Sequence, residues 1–308
     1  MPTNIINSGD EMELSRQMHA ACIWETCARK PGNVHPLAAF NNLHFTDFIL
    51  SAGAIAPILS KTRTLGIANA ILESVRVTKK SVGTNTNLGI ILLFAPIAFA
   101  HNSSDLKNEI QNAIAAISLQ ETNLVYEAIR LAAPGGLGTV PNQDIQNLPQ
   151  CTLLEAMRLA SNHDLIALQY ADGYGALFND AIPTFGGALE HLGTMEGAII
   201  FTHLYLMAKY PDSLISRKCG ANIAKESAQM ASQVLEKQWP LKGAGWTAFA
   251  NLDRWLRADG NKRNPGTTAD LIAATLFIAL RQGQISLPSL FPWTDGIEIA
   301  LRRVAPDT

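Results

Sequence analysis

Apolar residues recur at helical spacing along nearly the whole chain. Between clusters of Pro, Gly and polar residues, they keep intervals of three and four positions, which is typical of helices with one buried face. No stretch of strand length alternates apolar and polar residues with period two. The pattern therefore predicts an all-α chain with helices at about residues 10–28, 46–56, 63–77, 90–100, 105–117, 121–132, 152–161, 164–179, 188–209, 221–238, 247–258 and 271–280.

One predicted helix, 90–100, is apolar over its whole length. A helix that is apolar on all sides is buried on all sides. The composition agrees, because 47% of the residues are hydrophobic and only 16% are charged. We therefore expect a compact multi-helix globule with buried central helices, forming one domain over residues 1–308 with about residues 1–9 disordered.

Charge and cysteine usage narrow the classes of function. The net charge is −2, with 24 basic and 26 acidic side chains and no basic tract, so we expect small-molecule partners and no nucleic acid. The four cysteines show no Cys-x-x-Cys spacing, which favours reduced thiols over a zinc site. No secretory signal or membrane-spanning segment is recognisable, so we expect a cytoplasmic protein without a membrane partner. The sequence leaves the oligomeric state open.

The stretch 79–89 precedes the buried helix and is the first candidate for chemistry. It contains two lysines, two glycines and five small amide or hydroxyl side chains. The N–H groups in the first turn of a helix lack intrahelical partners and carry the positive end of the macrodipole, so such an end binds anions. Thr and Asn are also good N-cap residues, so a simple capped helix explains the same stretch.

Two further loops, around Lys30 and Lys262, also join a cation to glycines and a helix end. Cations and helix N-termini hold phosphates, whereas carboxylates hold the Mg²⁺ that accompanies a polyphosphate. We therefore predict a site for a nucleoside triphosphate with Mg²⁺. The carboxylates that stand near predicted helix ends are Glu25, Asp164, Asp172, Asp212, Asp259 and Asp270.

Four motifs carry a resemblance to a known family. They appear in the family's order between residues 25 and 271: Glu25 with the segment 30–34 (Lys-Pro-Gly-Asn-Val), 85–89 (Asn-Thr-Asn-Leu-Gly), 212–215 with Arg217 and Lys218, and 264–271 (Asn-Pro-Gly-Thr-Thr-Ala-Asp-Leu). In these motifs the chain resembles the triphosphoribosyl-dephospho-CoA synthase family. The resemblance implies an all-helical transferase that joins the ribose C1 of ATP to the 2′-hydroxyl of 3′-dephospho-CoA and releases adenine.

The chain departs from the family at one motif. Where family members read Asn-Thr-His-Lys-Gly, this chain has Asn87 and Leu88 in place of the His-Lys pair. A first alternative is therefore ribosyl or phosphoribosyl transfer to a different hydroxyl acceptor, such as a coenzyme precursor. A second alternative is a non-catalytic helical protein that binds a nucleotide.

The resemblance and the helix-end argument together assign roles to individual residues. We expect Glu25 and Lys30 to act in catalysis and either Asp164 or Asp172 to take the proton of the acceptor hydroxyl. We expect Mg²⁺ at Glu25, Asp212 and Asp270. The residues predicted to bind the nucleotide and its phosphates are Lys30, Gly32, Asn33, Lys79, Lys80, Asn85, Thr86, Asn87, Gly89, Arg217, Lys218, Asn264, Gly266 and Thr267.

Lys30 and Glu25 are expected to lie side by side. Glu25 falls in the last turn of the first predicted helix, where a carboxylate faces the negative end of the macrodipole and needs a cationic partner. Pro31 and Gly32 end that helix and hold Lys30 on a stiff loop. We expect a surface salt bridge, whose loss costs about 0–1 kcal/mol of stability.

Overall fold

The computed structural model of the protein describes residues 8–101, 105–133, 147–289, 291 and 293. These residues form fifteen α-helices and no strand, which confirms the all-α prediction. Residues 1–7 of the segment expected to be disordered lie outside the described part, and residues 8 and 9 belong to the first helix. The helices are α1 (Ser8–Cys27), α2 (Phe45–Leu59), α3 (Thr62–Leu65), α4 (Ile67–Val82), α5 (Leu88–Phe99), α6 (Leu106–Ala115), α7 (Leu119–Ala132), α8 (Leu153–Ala160), α9 (Leu165–Ala171), α10 (Ile182–Leu192), α11 (Met195–Lys209), α12 (Ser213–Cys219), α13 (Ala221–Glu236), α14 (Gly243–Arg257) and α15 (Gly266–Arg281).

Helices α5 and α15 form the centre of the core. Almost every residue of both helices is buried, and they pack on each other with the Phe94 and Phe277 ring centroids 4.8 Å apart. Helix α5 also contacts α2, α3, α4, α6 and α9, while α15 contacts α1, α9, α10, α11 and α12. The expectation of buried central helices is therefore confirmed, and both helices begin near the same point.

A proline inside α5 ties a neighbouring segment to the core. Pro96 has no N–H, so the Leu92 carbonyl one turn earlier lacks its helical partner. The Tyr170 hydroxyl donates to that carbonyl at 2.7 Å, and the Tyr174 hydroxyl donates to the Leu93 carbonyl at 3.0 Å. Both tyrosines are buried. These bonds hold α9 and the turn after it against α5.

Two helices predicted as continuous are broken by left-handed residues. The predicted helix 164–179 stops at Ala171, and Gly173 and Tyr174 have φ values of +66° and +64° before a π-helical turn at Leu177–Ala181. The predicted helix 188–209 is divided at Gly193, which has φ +67° and caps α10. Both breaks follow from a glycine that the apolar periodicity does not reveal.

Two helix ends near the pocket also differ from prediction. Helix α4 extends to Val82, so Lys79 and Lys80 lie in its last turn rather than in a loop before α5. Helix α15 begins at Gly266 rather than at residue 271, so Asp270 lies inside its second turn rather than before the helix. The lysines therefore lie at a helix C-terminus, where cations are favourable without any bound anion.

None of the described helices has the length and hydropathy needed to cross a membrane. The four cysteines are free thiols, as the sequence predicts. Cys22 is buried, whereas Cys27, Cys151 and Cys219 are half-buried.

Candidate active site

A pocket of about 780 Å³ opens where the end of α1, the starts of α5 and α15, and helices α7, α8, α9 and α12 meet. This volume lies within the range of small-molecule sites in proteins. Most of the predicted site residues line it, although they are distributed over some 245 positions of sequence. Those in the lining are Glu25, Asn33, Asn85, Thr86, Asn87, Gly89, Asp164, Arg217, Lys218, Asn264, Gly266, Thr267 and Asp270.

Six predicted site residues lie elsewhere. The pocket lining does not include Lys30, Gly32, Lys79, Lys80, Asp172 or Asp212. Lys79 lines a second, smaller cavity, and Lys80 is exposed at the end of α4. Asp172 is exposed in the turn after α9, where its Oδ1 accepts the Gly175 N–H at 2.9 Å. The structure therefore assigns these three residues to helix ends and turns outside the main pocket.

Lys30 is buried rather than exposed. Its side chain has no exposed surface, and its ammonium lies 2.8 Å from Glu25 Oε1 and donates to the carbonyls of Glu25 and Ala28. The predicted pairing with Glu25 is confirmed, whereas its predicted surface position is wrong. Since these three acceptors match the three N–H groups of an ammonium, Lys30 holds Glu25 in place from behind the pocket.

The rest of the loop after α1 is held by charges that the sequence did not reveal. Glu196 of α11 accepts two bonds from the Arg29 guanidinium, at 2.7 and 2.8 Å, and one from its backbone N–H at 3.1 Å. Asp253 of α14 accepts the Gly32 N–H at 2.8 Å and pairs with Arg257 at 2.9 Å. These partners lie more than 160 residues away in sequence, so no local pattern could identify them.

Gly32 is required by the backbone conformation of the loop after α1 rather than by contact with a phosphate. Its φ of +75° is the left-handed region that glycine adopts freely, and an added Cβ would lie 2.8 Å from Leu256. The loop then reaches the pocket at Asn33. There the Asn33 amide nitrogen donates to Asn264 Oδ1 at 2.7 Å, and the Asn33 carbonyl accepts from Arg257 at 2.8 Å. The bond between the two asparagines joins the first and last motifs directly.

Asp212 is a structural cap rather than a metal ligand. Its Oδ1 accepts the N–H groups of Leu214 and Ile215, at 2.8 and 3.0 Å. Its Oδ2 accepts the N–H and the hydroxyl of Thr268, at 2.7 and 2.8 Å. Because both oxygens are saturated and the side chain is 1% exposed, no lone pair is left for a cation. The carboxylate instead joins the start of α12 to the first turn of α15.

Asp270 lies against α5 at the pocket wall. A Cβ added to Gly89 would overlap the Asp270 carboxylate, so glycine is needed at position 89 for the two helices to meet here. Among the residues that the structure describes, none donates a hydrogen bond to Asp270. Desolvation raises its pKa well above the usual carboxyl range, and the negative charges of Glu25, Asp212 and Asp164 raise it further. A carboxylate in this position favours a positively charged ligand.

The donor set fits Mg²⁺ in the form that accompanies a polyphosphate. No group of three or more His, Cys, Asp or Glu side chains suited to a metal occurs in the described part of the chain. Mg²⁺ needs fewer protein ligands, because it commonly binds one or two carboxylates, substrate phosphates and water. Glu25 and Asp270 both line the pocket and repel one another. Within the described residues, Glu25 Oε2 accepts only the Thr26 hydroxyl, at 3.1 Å, and Asp270 accepts no bond, so both have lone pairs for the ion, whereas Asp212 does not.

Arg217 and Lys218 supply the positive charge of the pocket. Both lie in the last turn of α12, and the Arg217 guanidinium pairs with Asp164. Asp164 Oδ1 caps α9 by accepting the N–H groups of Ile166 and Ala167. Desolvation and the neighbouring Arg217 lower the pKa of the Lys218 ammonium. Two adjacent cations beside a polar wall are suited to a phosphate chain.

Several buried polar atoms of the pocket residues have no hydrogen-bond partner among the residues that the structure describes. Asn33 and Asn87 are 5% and 4% exposed. A buried donor or acceptor without a partner costs about 1–3 kcal/mol, so a cluster of them in one pocket indicates that a ligand supplies the missing bonds. The atoms concerned are Asn33 Oδ1, Thr86 Oγ1, Asn87 Nδ2 and Arg217 Nε.

The pocket also contains residues that the sequence reasoning missed. Apolar side chains of α7, α8 and α9, among them Ile129, Leu153, Met157 and Ile166, form one wall. His163 also lines the pocket and precedes Asp164. Helical periodicity marks such apolar residues as core, and it cannot tell a pocket wall from a packed interior. The position of His163 next to a candidate base is the one local signal that could have identified it.

Comparisons with known proteins agree with this arrangement. A crystal structure from Archaeoglobus fulgidus, described as a proposed triphosphoribosyl-dephospho-CoA synthase, superposes with a TM-score of 0.58. The match covers 76% of this chain and 98% of that chain at 23% identity, and it supports the shared fold. No curated protein matches the chain. The model of the family described as CitG, ATP:dephospho-CoA triphosphoribosyl transferase, matches residues 11–288. Because that match spans nearly the whole chain and all four motifs, the protein belongs to this family of transferases, which use ATP and dephospho-CoA.

Proposed function

We propose that the chain carries out its family's reaction in the main pocket, joining C1 of the ATP ribose to a hydroxyl of dephospho-CoA. In that reaction the C1–N bond to adenine breaks, a C1–O bond forms and the hydroxyl proton passes to a base. The observation that carries the proposal is the meeting of all four family motifs around one cavity that contains carboxylates, cations and unpartnered polar atoms.

The triphosphate belongs at the polar side of the pocket. Arg217 and Lys218 supply two cationic donors, and the Arg217 Nε has no partner within the described residues. Gly89 and Thr267 lie in the first turns of α5 and α15, where helix ends attract anions. Glu25 and Asp270 would hold Mg²⁺, whose charge offsets that of the phosphates when it is bound.

The protein's contribution to the chemistry is positioning and charge stabilisation. As the C1–N bond lengthens, positive charge develops on the ribose, and nearby carboxylates stabilise it only if they are already in place. Lys30 holds Glu25 from behind through a 2.8 Å ion pair, and Gly89 lets Asp270 lie against α5. Both carboxylates therefore need little rearrangement during the reaction.

Asp164 is the proposed base for the acceptor hydroxyl. Of the two carboxylates that the sequence left open, Asp164 lines the pocket and Asp172 does not. Asp164 Oδ1 is committed to the cap of α9, while Oδ2 pairs with Arg217. Binding of the triphosphate to Arg217 would leave Oδ2 available to accept the proton. Asp164→Asn should therefore lower turnover without preventing ATP binding.

The decisive experiment is a product assay. Purified protein is incubated with ATP, Mg²⁺ and dephospho-CoA, and the nucleobase and nucleotide products are separated by chromatography. We expect free adenine in proportion to acceptor consumed. Formation of ADP or AMP in place of adenine would contradict the proposal and indicate kinase or ligase chemistry.

A different acceptor is the second candidate, and Leu88 is the observation that favours it. Leu88 lines the pocket where other family members carry a lysine, and within the described residues the lysine and arginine side chains of the lining are those of Arg217 and Lys218. Few cations therefore remain for the diphosphate of dephospho-CoA once the triphosphate is bound. Adenine release that requires an uncharged hydroxyl compound, and not dephospho-CoA, would support this candidate.

A further inference from the structure

A second cavity of about 310 Å³ adjoins the main pocket at the start of α5. Asn85 and Asn87 line both cavities. The remaining wall of the second cavity comes from the second half of α4 and the two residues after that helix, from residues 131–133 at the end of α7, and from Ile91. The proposed function above places no part of either substrate in this space.

The C-terminal ends of two helices form part of this wall. Helix α4 ends at Val82 before the left-handed Gly83, and α7 ends at Ala132 before the left-handed Ala133. The last carbonyls of a helix lack intrahelical N–H partners and carry the negative end of the macrodipole. The Lys79 ammonium already lies 3.4 Å from the Leu131 carbonyl. A ligand that donates hydrogen bonds fits this wall better than an anion.

The boundary between the two cavities offers a buried amide with one unpartnered polar end. Asn87 is 4% exposed, and its Oδ1 accepts the Thr78 hydroxyl at 3.2 Å. The Asn87 Nδ2 has no partner among the described residues. Because a threonine hydroxyl both donates and accepts, the opposite orientation of the amide would leave Oδ1 without a partner instead, so one polar end of the amide is available in either orientation. Apolar side chains of Val75, Ile91 and Leu131 complete the cavity.

These features match the chemistry of a purine that carries an amino group. Adenine has two apolar faces, ring nitrogens that accept hydrogen bonds and an exocyclic amine that donates them. An asparagine amide is a recurrent partner of adenine, since its donor and acceptor pair with the ring nitrogen and the amine. Helix-end carbonyls provide further acceptors for the amine.

We propose that the second cavity is the base subsite, which receives the adenine of the ATP donor while the triphosphate lies in the main pocket. This inference rests on the proposed function, because it divides the donor of that reaction between the two cavities. The ribose then lies at Asn85 and Asn87, where the cavities meet. After the C1–N bond breaks, the freed adenine occupies a space separate from the one that the acceptor enters.

The proposed division of ATP between the two cavities is tested by measuring the binding of its two parts, the base and the triphosphate, separately. Free adenine and inorganic tripolyphosphate are titrated separately into the full-length chain by calorimetry. Ala132→Phe places a ring in the second cavity, and Ala208→Phe is the matched control, because Ala208 is also half-buried near a helix C-terminus and lines neither cavity. We expect Ala132→Phe to weaken adenine binding roughly tenfold or more and to leave tripolyphosphate binding unchanged. Lys218→Ala should have the reverse pattern, and Ala208→Phe should change neither.

A second pair of variants tests the base subsite without introducing the bulky side chain of Ala132→Phe. Thr78→Val removes the hydroxyl that bonds to Asn87 at nearly constant volume, and Thr78→Ser retains it. We expect weaker adenine binding in the valine variant and recovery in the serine variant, with tripolyphosphate binding the same in both. Inosine triphosphate, which carries a carbonyl in place of the amine, should bind more weakly than ATP to the wild type and no differently from ATP to Ala132→Phe.

Two outcomes would overturn the base subsite. Adenine affinity that is unchanged in both Ala132→Phe and Thr78→Val would place the base elsewhere, and so would joint loss of adenine and tripolyphosphate binding. The product assay separates this failure from failure of the proposed function. Absence of adenine release from ATP would contradict the proposed reaction. If adenine binding still depended on Ala132 and Thr78, the second cavity would remain supported as a purine site.

Discussion

Asp212 and Asp270 are two aspartates at the same helix junction with opposite surroundings. Desolvation raises the pKa of both carboxyls. Asp212 accepts four hydrogen bonds from α12 and α15, whereas no donor in the described part of the chain bonds to Asp270, which faces the pocket beside Glu25. The first carboxylate stabilises the fold, and the second remains available for a ligand.

The same contrast separates two larger sets of residues. The support layer, defined as Arg29, Lys30, Glu196, Asp212, Asp253 and Arg257, lies behind the pocket, and its charges pair with one another, with Glu25 or with backbone groups. The pocket set, defined as Asn33, Thr86, Asn87, Arg217 and Asp270, contains the polar atoms and the carboxylate that accept or donate no bond within the described part of the chain. Substitutions in the support layer should therefore lower stability first, and substitutions in the pocket set should lower activity first.

The largest expected effect is at Lys30. Lys30→Ala removes one partner of a buried ion pair and leaves Glu25 without compensation, which should lower the free energy of unfolding by about 3–5 kcal/mol. This loss is larger than the change of about 0–1 kcal/mol that the sequence analysis expected for a surface salt bridge. Urea denaturation followed by circular dichroism measures it, with Lys80→Ala as an exposed control that should stay within about 0.5 kcal/mol of wild type. A loss below about 1 kcal/mol for Lys30→Ala would mean that the pair is solvated in solution.

Asp270→Asn should have the next largest effect, on activity. Removal of this carboxylate should lower adenine release by roughly 100-fold or more, the scale found when one preorganised electrostatic group is lost. The unfolding free energy of the ligand-free protein should stay the same or rise, since a repelled charge is removed. Rate assays and urea denaturation on the same preparation test both halves. A variant that is active and less stable would place Asp270 in the support layer.

Asp212→Asn should lower the free energy of unfolding and leave activity near that of wild type, which is the reverse of Asp270→Asn and a smaller effect. The new amide NH₂ would face backbone N–H donors whichever oxygen it replaces, those of Leu214 and Ile215 or that of Thr268, so at least one buried donor loses its acceptor, at a cost of about 1–3 kcal/mol. At temperatures where the variant remains folded, its rate of adenine release should stay near that of wild type. A large fall in rate without loss of stability would show that Asp212 acts on the substrate.

The smallest expected effect is a dependence of stability on pH that originates at Asp270. Its pKa is raised in the folded state, so the unfolded chain ionises at this residue at a lower pH than the folded chain does. The contribution of Asp270 to the free energy of unfolding therefore falls as the pH rises from the ordinary carboxyl range towards the raised pKa. Without Mg²⁺, the difference in unfolding free energy between Asp270→Asn and wild type should grow in favour of the variant over that interval. A difference that is constant with pH would contradict the raised pKa.

The limits of sequence-based prediction are clear at three elements. The apolar run 90–100 predicts a buried helix because no solvent-facing side is possible, and α5 is that helix. The run 188–209 is as apolar, but Gly193 divides it because glycine adopts the left-handed conformation that ends α10. The extension of α4 to Val82 was missed because Lys79, Lys80 and Ser81 carry no apolar signal, although lysine is favourable at a helix C-terminus.

The sequence by itself determined the helical class, the buried central helix, the family and most of the residues that line the pocket, because apolar spacing and short motifs are local properties of the chain. Only the tertiary structure decided which charged residues pair with other protein groups and which line the pocket without such a partner among the described residues. Glu196 lies 167 positions from Arg29, and Asp253 lies 221 positions from Gly32. Hydrogen-bond saturation depends on groups that become neighbours only on folding, so Lys30 and Asp212 belong to the support layer while Asp270 and Asn87 line the pocket.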